Sequence, residues 1–178
     1  MRTVAIVQAR TGSTRLPGKV LARIGGRPML AHVVERARAA PGVDEVVVAT
    51  SVLPEDDAIA GLCAESGWPC ERGSATDLLD RYERAAAAHD AEVVVRVTGD
   101  CPLLDPALVG EVIALLGRGG YDYASNTLEP RTWPHGLDAE AFTRAALATA
   151  WAEDTDPAWR EHVTPFLYRH PERFRLGR

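Results

Sequence analysis

Three stretches of this sequence carry residue types that could handle phosphate groups and a metal ion. The first is Ala9-Arg10-Thr11-Gly12-Ser13-Thr14-Arg15-Leu16-Pro17-Gly18-Lys19, with two glycines, three small hydroxyls and three cations. Glycine lets backbone N–H groups approach a phosphate closely, and fixed cations neutralise its charge. The second is Arg96-Val97-Thr98-Gly99-Asp100, where a carboxylate stands directly after a glycine. Such a carboxylate can hold magnesium, which usually takes one or two protein carboxylates together with substrate phosphates and water. The third is Glu71-Arg72-Gly73-Ser74, in which Arg72 either meets a phosphate or base edge or pairs with Asp77 on the surface.

The first stretch is not a P-loop. That motif needs four residues between its first glycine and Gly-Lys, with Ser or Thr next, whereas Gly12 and Gly18 enclose five and Val20 follows Lys19. A dinucleotide fingerprint is also missing, because the chain has no G-x-G-x-x-G. The bland alternative is a solvated basic turn, and the loop's concentration of charge in an acidic chain argues against it. Thr50-Ser51 reads as a plain strand end. Cys101 reads as a small buried residue, since no His lies nearby in sequence to activate its thiol.

The elements that must position these residues follow from hydrophobic patterning. Val4 to Gln8, Val46 to Ala49 and Val93 to Val97 are β-branched, apolar runs that predict buried parallel strands. Between them, Leu30, Val33, Val34 and Ala37 place one apolar stripe on a helix beginning near Pro28. Further helices are predicted from Pro54, with Glu55, Asp56 and Asp57 at the positive end of the dipole, from about Thr76 to Ala88, and from the Asp105-Pro106 cap. Alternating strands and helices with short connections predict a single-domain α/β fold, a Rossmann-like doubly wound and mostly parallel sheet. Ligands in such sheets bind beyond the carboxyl ends of the strands, where the first two stretches lie. After Gly117, short strands are predicted at Tyr121 to Ser125 and Leu137 to Phe142, then helices from Thr143 and Pro157.

Composition bounds the function. The chain of 178 residues, 46% hydrophobic and 25% charged, is long enough to bury a core without disulfides or a structural metal. Its formal charge of −5 argues against general binding to nucleic acid or a membrane surface. Cys63, Cys70 and Cys101 lack metal-site spacing and suit a reducing cytoplasm, and the first residues fit neither a signal peptide nor a membrane span.

The segment QARTGSTRLPGKVL at Gln8 to Leu21, followed by Gly25-Gly26-Arg27-Pro28-Met29, resembles the nucleotide-binding opening of the sugar-activating cytidylyltransferases, among them CMP-KDO synthetase and acylneuraminate cytidylyltransferase. RVTGDCPLLDP at Arg96 to Pro106 and SNTLEPRTWPHGLDAEAF at Ser125 to Phe142 resemble more closely the spore coat polysaccharide biosynthesis protein F group, a likeness that extends through Glu161 to Pro165. The resemblance implies a nucleotidyltransferase that moves CMP from CTP to a sugar acid, sugar phosphate or alditol phosphate, with magnesium as cofactor and release of pyrophosphate. It further implies a homodimer.

Carried over by residue, the resemblance implies that Arg10, Ser13, Arg15 and Lys19 hold the triphosphate, and that Ala9, Gly12, Arg72 and Thr98 line the nucleotide. Lys19 and Arg15 would stabilise the leaving pyrophosphate and Asp100 would bind the metal. Asn126, Arg131, Asp138 and Glu140 would face the acceptor. Family members usually continue into a further strand and helix bearing another metal carboxylate, whereas this sequence ends at Phe174-Arg175-Leu176-Gly177-Arg178. The expectation is a domain short at its C-terminus, with Asp138 as the substitute ligand. The alternative expectation is a catalytically incomplete nucleotide-binding protein.

Overall fold

The computed structural model describes residues 1–131 and 133–178. β1 (Thr3–Gln8) opens the chain, and a hairpin of β2 (Arg23–Ile24) and β3 (Arg27–Pro28) leads into α1 (Met29–Arg38). β4 (Glu45–Ser51), α2 (Asp57–Ser66), β5 (Cys70–Gly73), α3 (Leu78–Ala88), β6 (Val93–Thr98) and α4 (Pro106–Gly119) continue the alternation. The last third holds β7 (Tyr123–Ser125), β8 (Glu140–Thr143), α5 (Arg144–Glu153), α6 (Pro157–His162), α7 (Pro165–Tyr168) and β9 (Leu176–Gly177).

Seven of these strands form one sheet in the order β5-β4-β1-β6-β8-β7-β9. β5, β4, β1 and β6 run parallel, and β8 joins antiparallel to β6 with Arg96 opposite Glu140. The expected mostly parallel α/β sheet is therefore present, extended by an antiparallel flank. Side chains of the central strands alternate between two cores. Ala5, Val7, Val95 and Val97 pack with α1, α2 and α4, while Val4, Ile6 and Val94 pack with α3 and α5 to α7. Covering both faces explains why β1 and β6 read as continuous apolar runs.

Caps set several boundaries. Asp105 accepts from the N–H of Ala107 at 2.8 Å to start α4, and Asp77 accepts from that of Asp80 at 2.9 Å to start α3. The helix expected from Pro54 begins as a 3-10 turn at Pro54–Asp56 and becomes α-helical at Asp57. Leu137 to Ala139, expected as strand, lie ahead of β8, so Asp138 sits in the irregular segment that follows the turn at His135 and Gly136. The Asn126 side chain holds that segment, donating to the carbonyl of Leu137 at 2.8 Å and accepting from the N–H of Ala139 at 2.9 Å.

Candidate active site

β1 and β6 are neighbours, so the loops leaving their carboxyl ends meet. The approach is close. The N–H of Gly99 donates to the Gln8 carbonyl at 2.8 Å, and a Cβ at Gly99 would stand 2.8 Å from the same oxygen. The Thr11 carbonyl closes the first loop by accepting from the N–H groups of Ser13 and Gly18, each at 2.8 Å. Gly18 adopts φ 69°, a left-handed turn that glycine makes without a steric penalty and that presents Lys19 to the site.

The loop is anchored by Asp56, a residue that sequence analysis assigned only to a helix dipole. Its carboxylate accepts from the N–H and hydroxyl of Thr11 at 2.7 and 2.8 Å, and also from the Ser51 hydroxyl, while the residue is only 2% exposed. Burial pushes the Asp56 carboxyl up, but these hydrogen bonds outweigh it and leave the group below the usual carboxylate range. No spacing rule links Asp56 to Thr11, forty-five residues away.

The two loops enclose a cavity of about 280 Å³ whose wall includes Ala9, Arg10, Gly12, Ser13, Arg15, Lys19, Thr98 and Asp100. The structure thus gathers every residue of the first two stretches expected to bind nucleotide or metal. Lys19 donates to Asp100 within it. Burial raises the Asp100 carboxyl, but Lys19, by hydrogen bond and charge, brings it below the usual range. Cys101 beside it is partly buried with its thiol pushed up by burial, which fits the inert reading.

A smaller cavity of about 160 Å³ shares the wall Gln8, Ala9 and Arg10 and is completed by α3 and α6. Arg10 bridges its rim to Glu161 at 3.6 Å. A third, of about 480 Å³, lies over β6 and β8 and is lined by Arg96, Glu140 and Thr164. There Arg96 pairs with Glu140 at 2.7 Å, and the side-chain oxygen of Gln8 accepts from Arg96 at 3.1 Å and from the Tyr82 hydroxyl at 3.0 Å. Burial lowers the Arg96 guanidinium, and the charge of Glu140 overcomes that and raises it. Val163, buried and β-branched at φ 71°, turns the chain between α6 and α7 so that His162 and Thr164 reach these cavities. Backbone held there costs about 1–3 kcal/mol and tends to mark functional sites.

The other expected residues are dispersed. Arg72 lies outside the phosphate-loop cavity, donating to the carbonyls of Ser51 and Leu53 and pairing with Asp57 at 2.7 Å. Asp77, its expected surface partner, pairs instead with Arg160. Arg131 and Asp138 are bonded to each other, and Asn126 is spent on the segment before β8. Among the described residues, no group of three or more His, Cys, Asp and Glu is placed to hold a metal. A cavity of about 720 Å³ between α4 and Trp133 includes Asn126 but no phosphate-loop residue. No described helix is long and apolar enough to cross a membrane.

Comparison with known proteins supplies the context. A family profile described as "Cytidylyltransferase" matches residues 4–178. An uncharacterized protein of Methanocaldococcus jannaschii is 39% identical over 99% of this chain and 71% of its own length. The spore coat polysaccharide biosynthesis protein SpsF of Bacillus subtilis is 33% identical over 96% of this chain and 72% of its own. A cytidylyltransferase structure from Leptospira borgpetersenii superposes with a TM-score of 0.91 at 34% identity, covering 99% of this chain and 75% of that one.

Proposed function

This chain belongs to the cytidylyltransferase family, and from that premise we propose that it transfers CMP from CTP to a sugar acid or a related sugar or alditol phosphate, releasing pyrophosphate, in the synthesis of a surface polysaccharide or glycan precursor. The observation that carries this reading is the convergence of the Arg10 to Lys19 loop with Asp100 in one cavity. A 3-deoxy-manno-octulosonate cytidylyltransferase of Geobacter metallireducens, 45% identical over 65% of this chain and 45% of its own length, supports the sugar-acid class of acceptor.

In this reading the β1 loop wraps the triphosphate. Arg10, Arg15 and Lys19 neutralise its oxygens, and the backbone of Gly12 and Ser13 lies close against it. An acceptor oxygen attacks the α-phosphorus in line, and its bond forms as the bond to pyrophosphate breaks. Positioning and charge neutralisation then supply most of the rate. Lys19 and Arg15 stabilise the departing pyrophosphate. Arg96, Glu140 and Thr164, at the neighbouring cavity, orient the acceptor.

Asp100 fits magnesium. It is an ionised carboxylate at the phosphate cavity, and that metal needs few protein ligands when phosphates and water complete its shell. Magnesium held there by Asp100 would supply positive charge to offset that developing on the phosphates. Asp138, bonded to Arg131 ahead of β8, is the second carboxylate this reading assigns to the metal. The free thiols suit a reducing cytoplasm.

The test is incubation with CTP, magnesium and a panel of sugar acids and sugar phosphates, reading pyrophosphate release and the mass of the CMP conjugate. CTP-dependent conjugate is the expected result. Stabilisation by CTP without pyrophosphate release on any acceptor would mark a nucleotide-binding protein without turnover.

A further inference from the structure

The corner between α6 and α7 is more strained than a change of direction requires. Val163 stands at φ 71° and ψ −54°, and the N–H of Thr164 donates to the carbonyl of His162 at 2.9 Å. This is a γ-turn of the rare, positive-φ kind, centred here on a buried β-branched residue. Backbone strain of this sort points to what the turn presents.

It presents His162. Among the described residues, His162 alone lines both the 160 Å³ cavity beside Arg10 and the 480 Å³ cavity over Arg96 and Glu140. Its chain neighbour Glu161 reaches Arg10 at 3.6 Å, so the end of α6 stands against the phosphate loop. Thr164, on the far side of the turn, lines the second cavity. His162 therefore stands where a nucleotide gripped by the loop would meet an acceptor held over β6 and β8.

Its side chain is exposed and has no hydrogen-bond partner among the described residues, whereas His32, His89 and His170 each bond to the rest of the chain. The charged groups around it are engaged or buried. Arg10 pairs with Glu161, and Arg96 with Glu140. Arg81 of α3 is 4% exposed, with Nε and Nη1 unpartnered among the described residues. Glu129 and the Tyr168 hydroxyl line the acceptor cavity but not the one beside Arg10.

We propose that His162 is the general base of the transfer, taking the proton of an acceptor hydroxyl as that oxygen attacks the α-phosphorus. This rests on the cytidylyltransferase reading above and names the proton acceptor that positioning and charge neutralisation leave out. The O–H bond breaks toward a ring nitrogen of His162 as the new O–P bond forms. The electron pair of the breaking P–O bond leaves on pyrophosphate, and the imidazolium then gives its proton to water. Imidazole is the side chain most often used for such a step near neutral pH. A base has a use here only where the nucleophile carries a proton. The proposal thus favours a hydroxyl acceptor, as in a sugar acid, over a phosphate whose oxygens are already ionised.

The experiment is steady-state turnover of the whole chain, as wild type, His162→Gln, His162→Ala and Glu129→Gln, with melting points measured alongside. The substrates are CTP, magnesium and whichever acceptor of the panel above gives the fastest conjugate formation, from about pH 5 to pH 9. His162→Gln should lower kcat by about 100-fold or more, the scale of a general base, with KM for CTP unchanged. The wild-type rate should fall on the acid side as the base takes up a proton. That limb should vanish in His162→Gln and persist in Glu129→Gln. Imidazole added to His162→Ala should restore part of the rate. Melting points should match wild type, because the side chain bonds to nothing that folding needs. Near-wild-type kcat in either folded His162 variant, or an acid limb that survives in His162→Gln, overturns the proposal. Turnover confined to phosphate acceptors also overturns it. If the wild type turns over no acceptor at all, it is the transfer reading that fails, and this inference falls with it.

Discussion

Lys19 and Asp100, eighty-one residues apart, are bonded to each other across the cavity between the β1 and β6 loops. The loop's lysine and the cavity's carboxylate thus hold one another in place, and in the proposed reaction a bound triphosphate would have to part them. Asp100→Asn should lower metal-stimulated turnover by at least about 100-fold, the upper end of the loss seen when even an indirect metal contact is removed. Circular dichroism should show the fold retained. Lys19→Ala should weaken CTP far more than CMP, and equal losses for both would contradict its place on the outer phosphates.

Asp56 predicts a pH dependence of stability. Its folded-state pKa lies below its ordinary value, so its contribution is present above about pH 4 and is lost as pH falls through the folded value. Asp56→Asn should cost about 1–3 kcal/mol near neutral pH. The gap from wild type should narrow in acid, and denaturant midpoints measured from pH 7 down to pH 2 would show whether it does.

The Arg96 and Glu140 pair predicts an asymmetric mutational response. Glu140→Ala leaves a part-buried guanidinium without its partner and should destabilise in urea unfolding, by less than the ~3–5 kcal/mol of a fully buried pair. Replacing both residues with apolar ones of similar volume should cost much less. A mild effect of the single variant would mean that Gln8 alone satisfies Arg96.

Gly99 predicts a coupled loss. In Gly99→Ala the new methyl would meet the Gln8 carbonyl, forcing the ends of β1 and β6 apart at about 1–3 kcal/mol. Nucleotide affinity should fall with stability, since the two loops share that junction. Calorimetric titration beside thermal unfolding tests the coupling.

The central architecture was legible because β1, β4 and β6 are buried on both faces and so read as unbroken apolar runs, and because Asp105-Pro106 writes a helix start directly into the chain. β5 was not, since Cys-Glu-Arg-Gly on a sheet edge has neither alternation nor β-branched residues. Leu137 to Ala139 looked like strand, but there the backbone is held by the Asn126 amide rather than by a neighbouring strand. The phosphate loop and Asp100 announced themselves by local composition. Asp56 and Arg81 could not, because Asp56 is notable for burial and its bonds to distant Thr11, and Arg81 for burial without partners.

The shared wall of Ala9 and Arg10 between the two smaller cavities bears on how products leave. A nucleotide that spans both is a tethered pair of fragments, each holding the other at high effective concentration, so its affinity far exceeds that of either fragment alone. In the proposed reaction, breaking the bond between the α- and β-phosphates would sever the tether. Pyrophosphate and the CMP conjugate would then dissociate as two weakly held ligands, and the chemistry that completes the reaction would empty the site for the next turnover.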